Sequence, residues 1–339
     1  MTALFPATSL ADLMNALADL PAADEAARAA AQARQAQLTK PAGSLGQLED
    51  MAVFMAGWQG QDRPRIDRAQ ALVFAGNHGI CAQSVSSFPP EVTVQMVANF
   101  SAGGAAINQL ARAAGADLSV VSLDLHLPTQ DFTRGAAMTE AEVLDAMAKG
   151  ADAVDPQADI VLLGEMGIGN STIAAALARA AFGGVATDWV GPGTGIDSSG
   201  QARKAAVIEA GMALHAALLD TPLGAFCAFG GREQAAMAGA VLGARAAGIP
   251  VMLDGFIGTA SVAPLATIPG ALDHCLIGHA SAEPGHARLL AAMGRRAILD
   301  LGMRLGEGSG AAVALMVLRA ALEAHNGMAT FAEAGVASA

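Results

Sequence analysis

The sequence predicts an α/β protein, a mainly parallel sheet with helices on both faces, joined to a smaller helical domain built from the two chain ends. Three observations carry this prediction. Short continuous apolar runs recur through the middle of the chain, as in strands buried on both faces. Segments of helical length and spacing lie between them. Each run ends in glycine or a polar residue, and in open parallel sheets the ligand crevice lies beyond those ends.

The elements follow in order. Residues Ala11–Leu38 read as one or two helices, broken at Pro21. After the turn KPAGS (Lys40–Ser44), Leu45–Trp58 places apolar residues at helical spacing, and Gln59–Asp67 is a polar linker. The run ALVFA (Ala71–Ala75), ending in GNHG, reads as the first buried strand. Leu118–Leu123, Ile160–Leu163 and Pro250–Leu253 repeat the pattern, and Leu272–Ile277 repeats it more weakly. Helices are expected over Glu91–Ala114, Glu140–Ala153, Asn170–Phe182, Ser199–Leu219 and Arg232–Ala247. Leu289–Ala324 reads as a return to helix, and Phe331–Ala339 as a frayed tail. The expected division is a Rossmann-like large domain over residues 67–294 beside a small helical domain from residues 1–66 and 295–339.

Composition excludes several classes of function. A net charge of −12 and the absence of tyrosine leave neither a phosphate-tracking basic surface nor an aromatic platform, so no nucleic-acid partner is expected. Cys81, Cys227 and Cys275 are odd in number and widely spaced, which fits small apolar residues in a reducing compartment. Met1–Leu20 lacks a basic start and carries Asp12 and Asp19, unlike a secretion signal. Charged residues interrupt the apolar stretches before they reach membrane length. The expectation is a cytoplasmic protein with no membrane partner. The seven histidines show no HExxH or HxH grouping, so no metal site is read.

Three segments hold the chemistry. Glu307 stands in the glycine-lined turn LGMRLGEGSG (Leu301–Gly310) at the mouth of an apolar helix, with no basic side chain before Arg319. A carboxylate over an apolar wall is poorly solvated, so its proton affinity rises and it can serve as a base. The other reading is a carboxylate that simply favours a helix N-terminus. GEMGIGNST (Gly164–Thr172) follows a strand and opens a helix, which suits a phosphate on backbone amides, against an ordinary N-cap by Asn170 or Ser171. It is not a Walker loop, because no lysine follows its last glycine. A second loop, GPGTG (Gly191–Gly195), precedes the helix carrying Lys204. Glu165 directly follows a buried strand, where a charge requires partners. His78 reads as structural or positioning, Asp254 as a weaker candidate for function, and Arg232 with Glu233 as a surface pair.

Five strings occur in one order over residues 40–310. They are KPAGSLGQLE (Lys40–Glu49), GEMGIGNST, PVMLDGF (Pro250–Phe256), SAEPGH (Ser281–His286) and LGEGSG (Leu305–Gly310). Together they resemble the nicotinate-nucleotide:dimethylbenzimidazole phosphoribosyltransferases, which make the lower-ligand nucleotide of cobalamin. The resemblance thins before Lys40 and after about Arg319.

It implies the same two-domain architecture, a homodimer, and the substrates nicotinate mononucleotide and 5,6-dimethylbenzimidazole, with no cofactor. The apolar helices Leu45–Trp58 and Ala311–Leu322 add a physical motive for the dimer, against the reading that both are buried within one subunit. It implies Glu307 as the general base. Glu165 and Ser281 fall near the ribose. Gly167, Gly169, Asn170, Ser171 and Thr172, with Gly193, Thr194 and Lys204, fall at the phosphate. The segment SVSSFPPEVTVQM (Ser84–Met96) covers the aromatic-base pocket. Here the chain departs from the pattern: Phe88 and Met96 stand where some members hold serine and glutamine, and Gln95 is adjacent to the second position without being equivalent. A more apolar pocket follows, which motivates an alternative acceptor: another azole, a purine or a phenolic base. A non-catalytic nucleotide-binding module is the rival from another class, though a sensor has no need of a poorly solvated base at Glu307. A dinucleotide oxidoreductase is disfavoured by the missing GxGxxG unit.

Overall fold

The computed structural model describes residue 4 and residues 7–193 and 195–337. Six strands form one sheet in which every neighbouring pair is parallel. They are β1 (Ala69–Ala75), β2 (Ala116–Ser122), β3 (Ile160–Met166), β4 (Val251–Leu253), β5 (Cys275–His279) and β6 (Ala297–Leu299). Their order is β2-β1-β3-β4-β5-β6. The chain leaves β1 for β2 on one side and returns to the other side for β3. That reversal opens a crevice at the carboxyl ends of β1 and β3, where a doubly wound sheet binds its ligands.

The apolar runs feed both faces of this sheet. Leu72 and Phe74 of β1, Val161 and Leu163 of β3, and Val251 and Leu253 of β4 point into one core. Val73, Ile160, Leu162 and Met252 point into the other. The alternation of a strand is present, but both sets are apolar because helices cover both sides.

On the first face, helices Glu140–Asp152 and Arg232–Ala246 meet backbone to backbone. A Cβ on Gly150 would lie 1.8 Å from the Ala236 carbonyl oxygen, and one on Gly239 would lie 1.9 Å from that of Met147. On the second face lies the helix Ser309–Gly327, with Ala311, Ala312, Ala314, Leu315 and Leu318 buried. Its first turn presses on β5, where a Cβ on Gly278 would be 2.8 Å from the Ala311 Cα.

Three expectations are corrected. Residues 289–324 are not continuous helix: a helix ends at Met293, Ala297–Leu299 adds the edge strand β6, and the second helix starts at Ser309. Three residues of strand carry too little pattern to oppose the flanking helical periodicity. The helix expected over Glu91–Ala114 divides into Glu91–Ser101 and Ala106–Ala114. It breaks at Gly103, whose φ is +77°. The apolar helices near the two ends were expected to seek a second subunit, but the chain uses them itself. Met51, Ala52 and Met55 of helix Gln47–Gln59 share a core with Leu315, Leu318 and Leu322.

The two ends are tied together. The buried Arg34 guanidinium donates to the carbonyls of His325 (2.9 Å), Asn326 (3.0 Å) and Met328 (3.0 Å), and Leu38 bridges Thr330. Lys40 and Glu49, the first and last residues of KPAGSLGQLE, pair at 2.7 Å, so that motif closes on itself. Among the described residues no helix is long and apolar enough to cross a membrane.

The glycine crossing is testable. Gly239→Ala must push apart helices whose backbones touch, and overpacking of this kind costs about 1–3 kcal/mol. A urea melt should show the midpoint falling at unchanged slope. An unchanged midpoint would show that the crossing tolerates separation.

Candidate functional site

At the carboxyl end of β3, Gly164 makes room for a second chain segment. A Cβ there would lie 2.4 Å from the Glu307 carbonyl carbon and 2.5 Å from the Gly308 nitrogen. The turn Gly306–Gly308 therefore rests on the strand itself. Glu307 is left-handed (φ +65°) between two left-handed glycines, and a non-glycine residue held there is a strained position of the kind that gathers at functional sites.

Asp254, one residue beyond β4, fixes the turn. Its Oδ2 accepts the Gly308 N–H (3.2 Å) and its Oδ1 the Ala311 N–H (2.9 Å), so it satisfies donors at the start of helix Ser309–Gly327. His279 Nε2 lies 3.6 Å from the same Oδ1. Asp254, the weaker candidate of the sequence, is thus the anchor of the whole turn.

Both glutamates at this end are buried, and both are raised above the ordinary carboxyl value. Burial pushes the Glu165 carboxyl up to about 8, with Asp254, Glu233 and Glu307 adding to the rise and Asn170 opposing it. Burial also raises Glu307, against a hydrogen bond from the Ile107 backbone, and Asp254 adds to the rise. The Oε2 atom of Glu307 is enclosed and meets no protein donor among the described residues. That oxygen is free for a proton brought by a ligand.

The two glycine loops meet through one lysine. Gly169 (φ +89°) caps helix Asn170–Phe182, and the Asn170 side-chain amide donates to Glu165. Lys204, 2% exposed, donates to Ser171 Oγ (2.9 Å) and to the Gly191 carbonyl (3.4 Å). A Cβ on Gly193 would lie 2.8 Å from Ser171 Oγ and 2.9 Å from Lys204 Nζ, so Gly193 brings backbone to both. Burial draws the ammonium down to about 8, while Glu283 supports its charge. Thr172 is fully enclosed, and Thr194 lies outside the described residues.

Ser281 lines a cleft of about 30 Å³ with Glu165, Asp254, Glu283 and Arg304, so it and Glu165 do come together. Its place in the chain differs from a plain N-cap, because Glu283 holds that position before helix Pro284–Met293. Gly167 packs under the same region, where a Cβ would meet the His78 ring at 2.5 Å. The segment expected to hold the base is more open. Phe88 is 49% exposed, Gln95 faces solvent, and Met96 packs partly against the core that includes Ile107. Three larger clefts, about 500, 480 and 310 Å³, lie among the terminal helices and beside β5 and β6, away from Glu165 and Glu307.

The Arg232–Glu233 surface pair is corrected. Glu233 is fully buried and pairs with His78 Nε2 at 2.8 Å, while the His78 Nδ1 lies 2.8 Å from the Ile168 carbonyl. Burial works against charge on His78, but the Glu233 carboxylate outweighs it and holds the imidazole above its ordinary value. Arg232 pairs instead with Glu142 at 2.6 Å. Sequence spacing could not find a contact between residues 155 positions apart. Glu283 and Arg304 also escaped notice, although both lie inside the quoted strings. Among the described residues no cluster of His, Cys, Asp and Glu could hold a metal ion.

A family model described as Phosphoribosyltransferase matches residues 20–336. The nicotinate-nucleotide–dimethylbenzimidazole phosphoribosyltransferase of Rhodobacter capsulatus is 64% identical over 327 residues, covering 95% of this chain and 97% of the relative. That of Novosphingobium aromaticivorans is 60% identical over 330 residues, covering 97% and 98%. This chain belongs to that family. The crystal structure of the Thermus thermophilus enzyme of the same name superposes with a TM-score of 0.87 at 39% identity, covering 93% of this chain and all of that one. The α/β architecture expected from the apolar runs is the family's fold.

The buried Glu165 sets a dependence of stability on pH. Its folded value of about 8 lies above the ordinary 4.5, so its contribution is complete below about pH 4.5 and is lost as pH rises to 8. Glu165→Gln should flatten that fall, by a few kcal/mol at most. Urea midpoints between about pH 5 and 8.5 check this, and identical slopes against pH in both proteins would contradict the assignment.

Proposed function

We propose that the protein transfers the phosphoribosyl group of nicotinate mononucleotide to 5,6-dimethylbenzimidazole. The products are α-ribazole 5′-phosphate and nicotinate. The observation that carries this reading is the unpartnered oxygen of Glu307, which stands on the sheet end that also carries the Lys204-bridged glycine loops. The names of the relatives and the order of the five strings support it.

One ring nitrogen of the benzimidazole attacks C1′ from the face opposite nicotinate. The bond from C1′ to the pyridinium nitrogen breaks, and its electron pair returns to that ring. The leaving ring nitrogen therefore needs no proton. The proton on the other benzimidazole nitrogen passes to Glu307, which strengthens the nucleophile as the bond forms. Attack from the opposite face inverts the β-nucleotide to the α-nucleotide. Ser171, Gly193 and Lys204 hold the 5′-phosphate, which fixes C1′ relative to the base. Glu165 keeps its proton near neutral pH, so it serves the ribose as a hydrogen-bonding group and not as a full negative charge. Phe88 and Met96 form an apolar wall for the base, beside Gln95.

The remaining elements of the reading are a cytoplasmic location, supported by three unpaired thiols, and a homodimer. With much of the terminal helices' apolar surface spent inside the chain, support for the dimer comes from Met316, 37% exposed, and from Phe88 and Val94, each about half exposed around the start of helix Glu91–Ser101. The terminal segments are kept as a helical lobe, supported by the Arg34 hydrogen bonds, with Ala297–Leu299 reassigned to the sheet.

Glu307→Gln should retain nucleotide binding while turnover falls on the order of 10²–10⁴-fold. The measurement is nicotinate release, with 5,6-dimethylbenzimidazole and a panel of other azoles, purines and phenols as acceptors. Near-normal turnover in the variant removes Glu307 from the mechanism. Light scattering should give a mass near twice 33.8 kDa. Full activity at the monomer mass would rule out the dimer as a functional requirement.

A further inference from the structure

We infer that Glu283 is the resident counter-anion of the glycine loops, a binding-site residue whose carboxylate the 5′-phosphate must displace. The inference rests on the reading of those loops as the phosphate site.

The Lys204 ammonium is almost wholly enclosed, and its two hydrogen-bond partners, Ser171 Oγ and the Gly191 carbonyl, are neutral. A buried cation without a counter-charge is costly. Glu283, itself 7% exposed, answers that need and interacts electrostatically with Lys204. Its Oε1 accepts the Gly193 N–H at 3.1 Å. Its other oxygen lies against the same loop, since a Cβ on Gly191 would fall 2.1 Å from Oε2. Arg304 completes the enclosure by donating to the Gly193 carbonyl at 3.2 Å.

The Glu283 carboxylate thus already takes a backbone donor of the loop and favours the charge on its lysine, which in turn opposes the rise that burial imposes on Glu283. A phosphomonoester seeking the Gly193 N–H and Lys204 meets an anion in its place. Two anions against one lysine repel, so Glu283 gives up the Gly193 N–H when the phosphate arrives. In exchange it keeps Lys204 charged and the loop shaped beforehand. The general base Glu307 takes no part in this exchange.

The test is calorimetric titration at about pH 6.5, where Lys204 is charged, with inorganic sulfate, nicotinate mononucleotide and nicotinate riboside. Glu283→Gln keeps the side-chain shape and offers Gly193 a neutral oxygen, which an anion displaces more readily than a carboxylate. Sulfate and the mononucleotide should bind about tenfold more tightly to the variant, the difference between a charged and a neutral hydrogen bond. The riboside should bind as before. Weaker or unchanged binding of both anions would mean that Glu283 only braces the loop, and would overturn the inference. Glu283→Asp gives a second reading should the glutamine variant fold poorly. Its shorter side chain releases the Gly193 N–H while keeping the charge, so it too should tighten sulfate, and weakening would count against the proposal. Lys204→Ala separates the two claims. If it leaves sulfate and mononucleotide binding intact, the phosphate site itself is misplaced. If it weakens both while Glu283→Gln does not tighten them, the site stands and the role of Glu283 falls.

Discussion

The contact between the end of β3 and the Gly306–Gly308 turn governs the rest of the site. It exists because Gly164 has no side chain, and because Asp254 supplies acceptors to the Gly308 and Ala311 amides. Those two conditions bring the Glu307 backbone onto the strand that carries Glu165. From there the helix Ser309–Gly327 must run across the second face of the sheet, close against Gly278, and its apolar residues complete that core. The left-handed Glu307 is the local cost of joining helix to strand at so short a distance.

Four carboxyl groups crowd this end of the sheet, and the protein treats them differently. Glu233 is paired with the buried His78, which locks the strand-end loop GNHG to helix Arg232–Ala246. Asp254 is satisfied by backbone amides at a helix start. Glu165 has the Asn170 amide, and Glu307 has the Ile107 backbone on one side and no protein donor for its Oε2. Burial, with repulsion from neighbouring carboxyls, then raises the two glutamates, so that one end of a single sheet holds structural carboxyls and proton-binding groups together. The same economy recurs at the loops, where burial draws Lys204 down and raises Glu283 while each favours the other's charge.

Much of this was legible in the chain. The apolar runs located five of the six strands: β1, β3 and β4 because strands buried on both faces need uninterrupted apolar sequence, and the half-exposed edge strand β2 by its leucine and valines. Helix Asn170–Phe182 was read with its observed bounds, because Gly169 before it and Gly183 after it mark both ends locally. The glycines around Glu307 announced a turn that only a close approach would require. The Lys204 link between two loops was reached through family resemblance, since nothing local distinguishes that lysine from one on a solvated face.

What the tertiary structure decided is the pairing of distant charges and the fate of ambiguous apolar segments. Glu233 read as half of a surface pair because its true partner, His78, lies on another element. Asp254 read as a minor candidate because its ligands are backbone amides more than fifty residues away. Short β6 escaped notice because three residues form a strand only when β5 offers its edge. The terminal helices read as surfaces in need of a partner, since a sequence shows that a helix has an apolar face but not which surface will cover it. Composition and spacing by themselves determined the sheet, its crevice and the glycine turns. Which charges are buried together, and how strongly each holds its proton, was left to the packing, because burial and distance are properties of the folded chain alone.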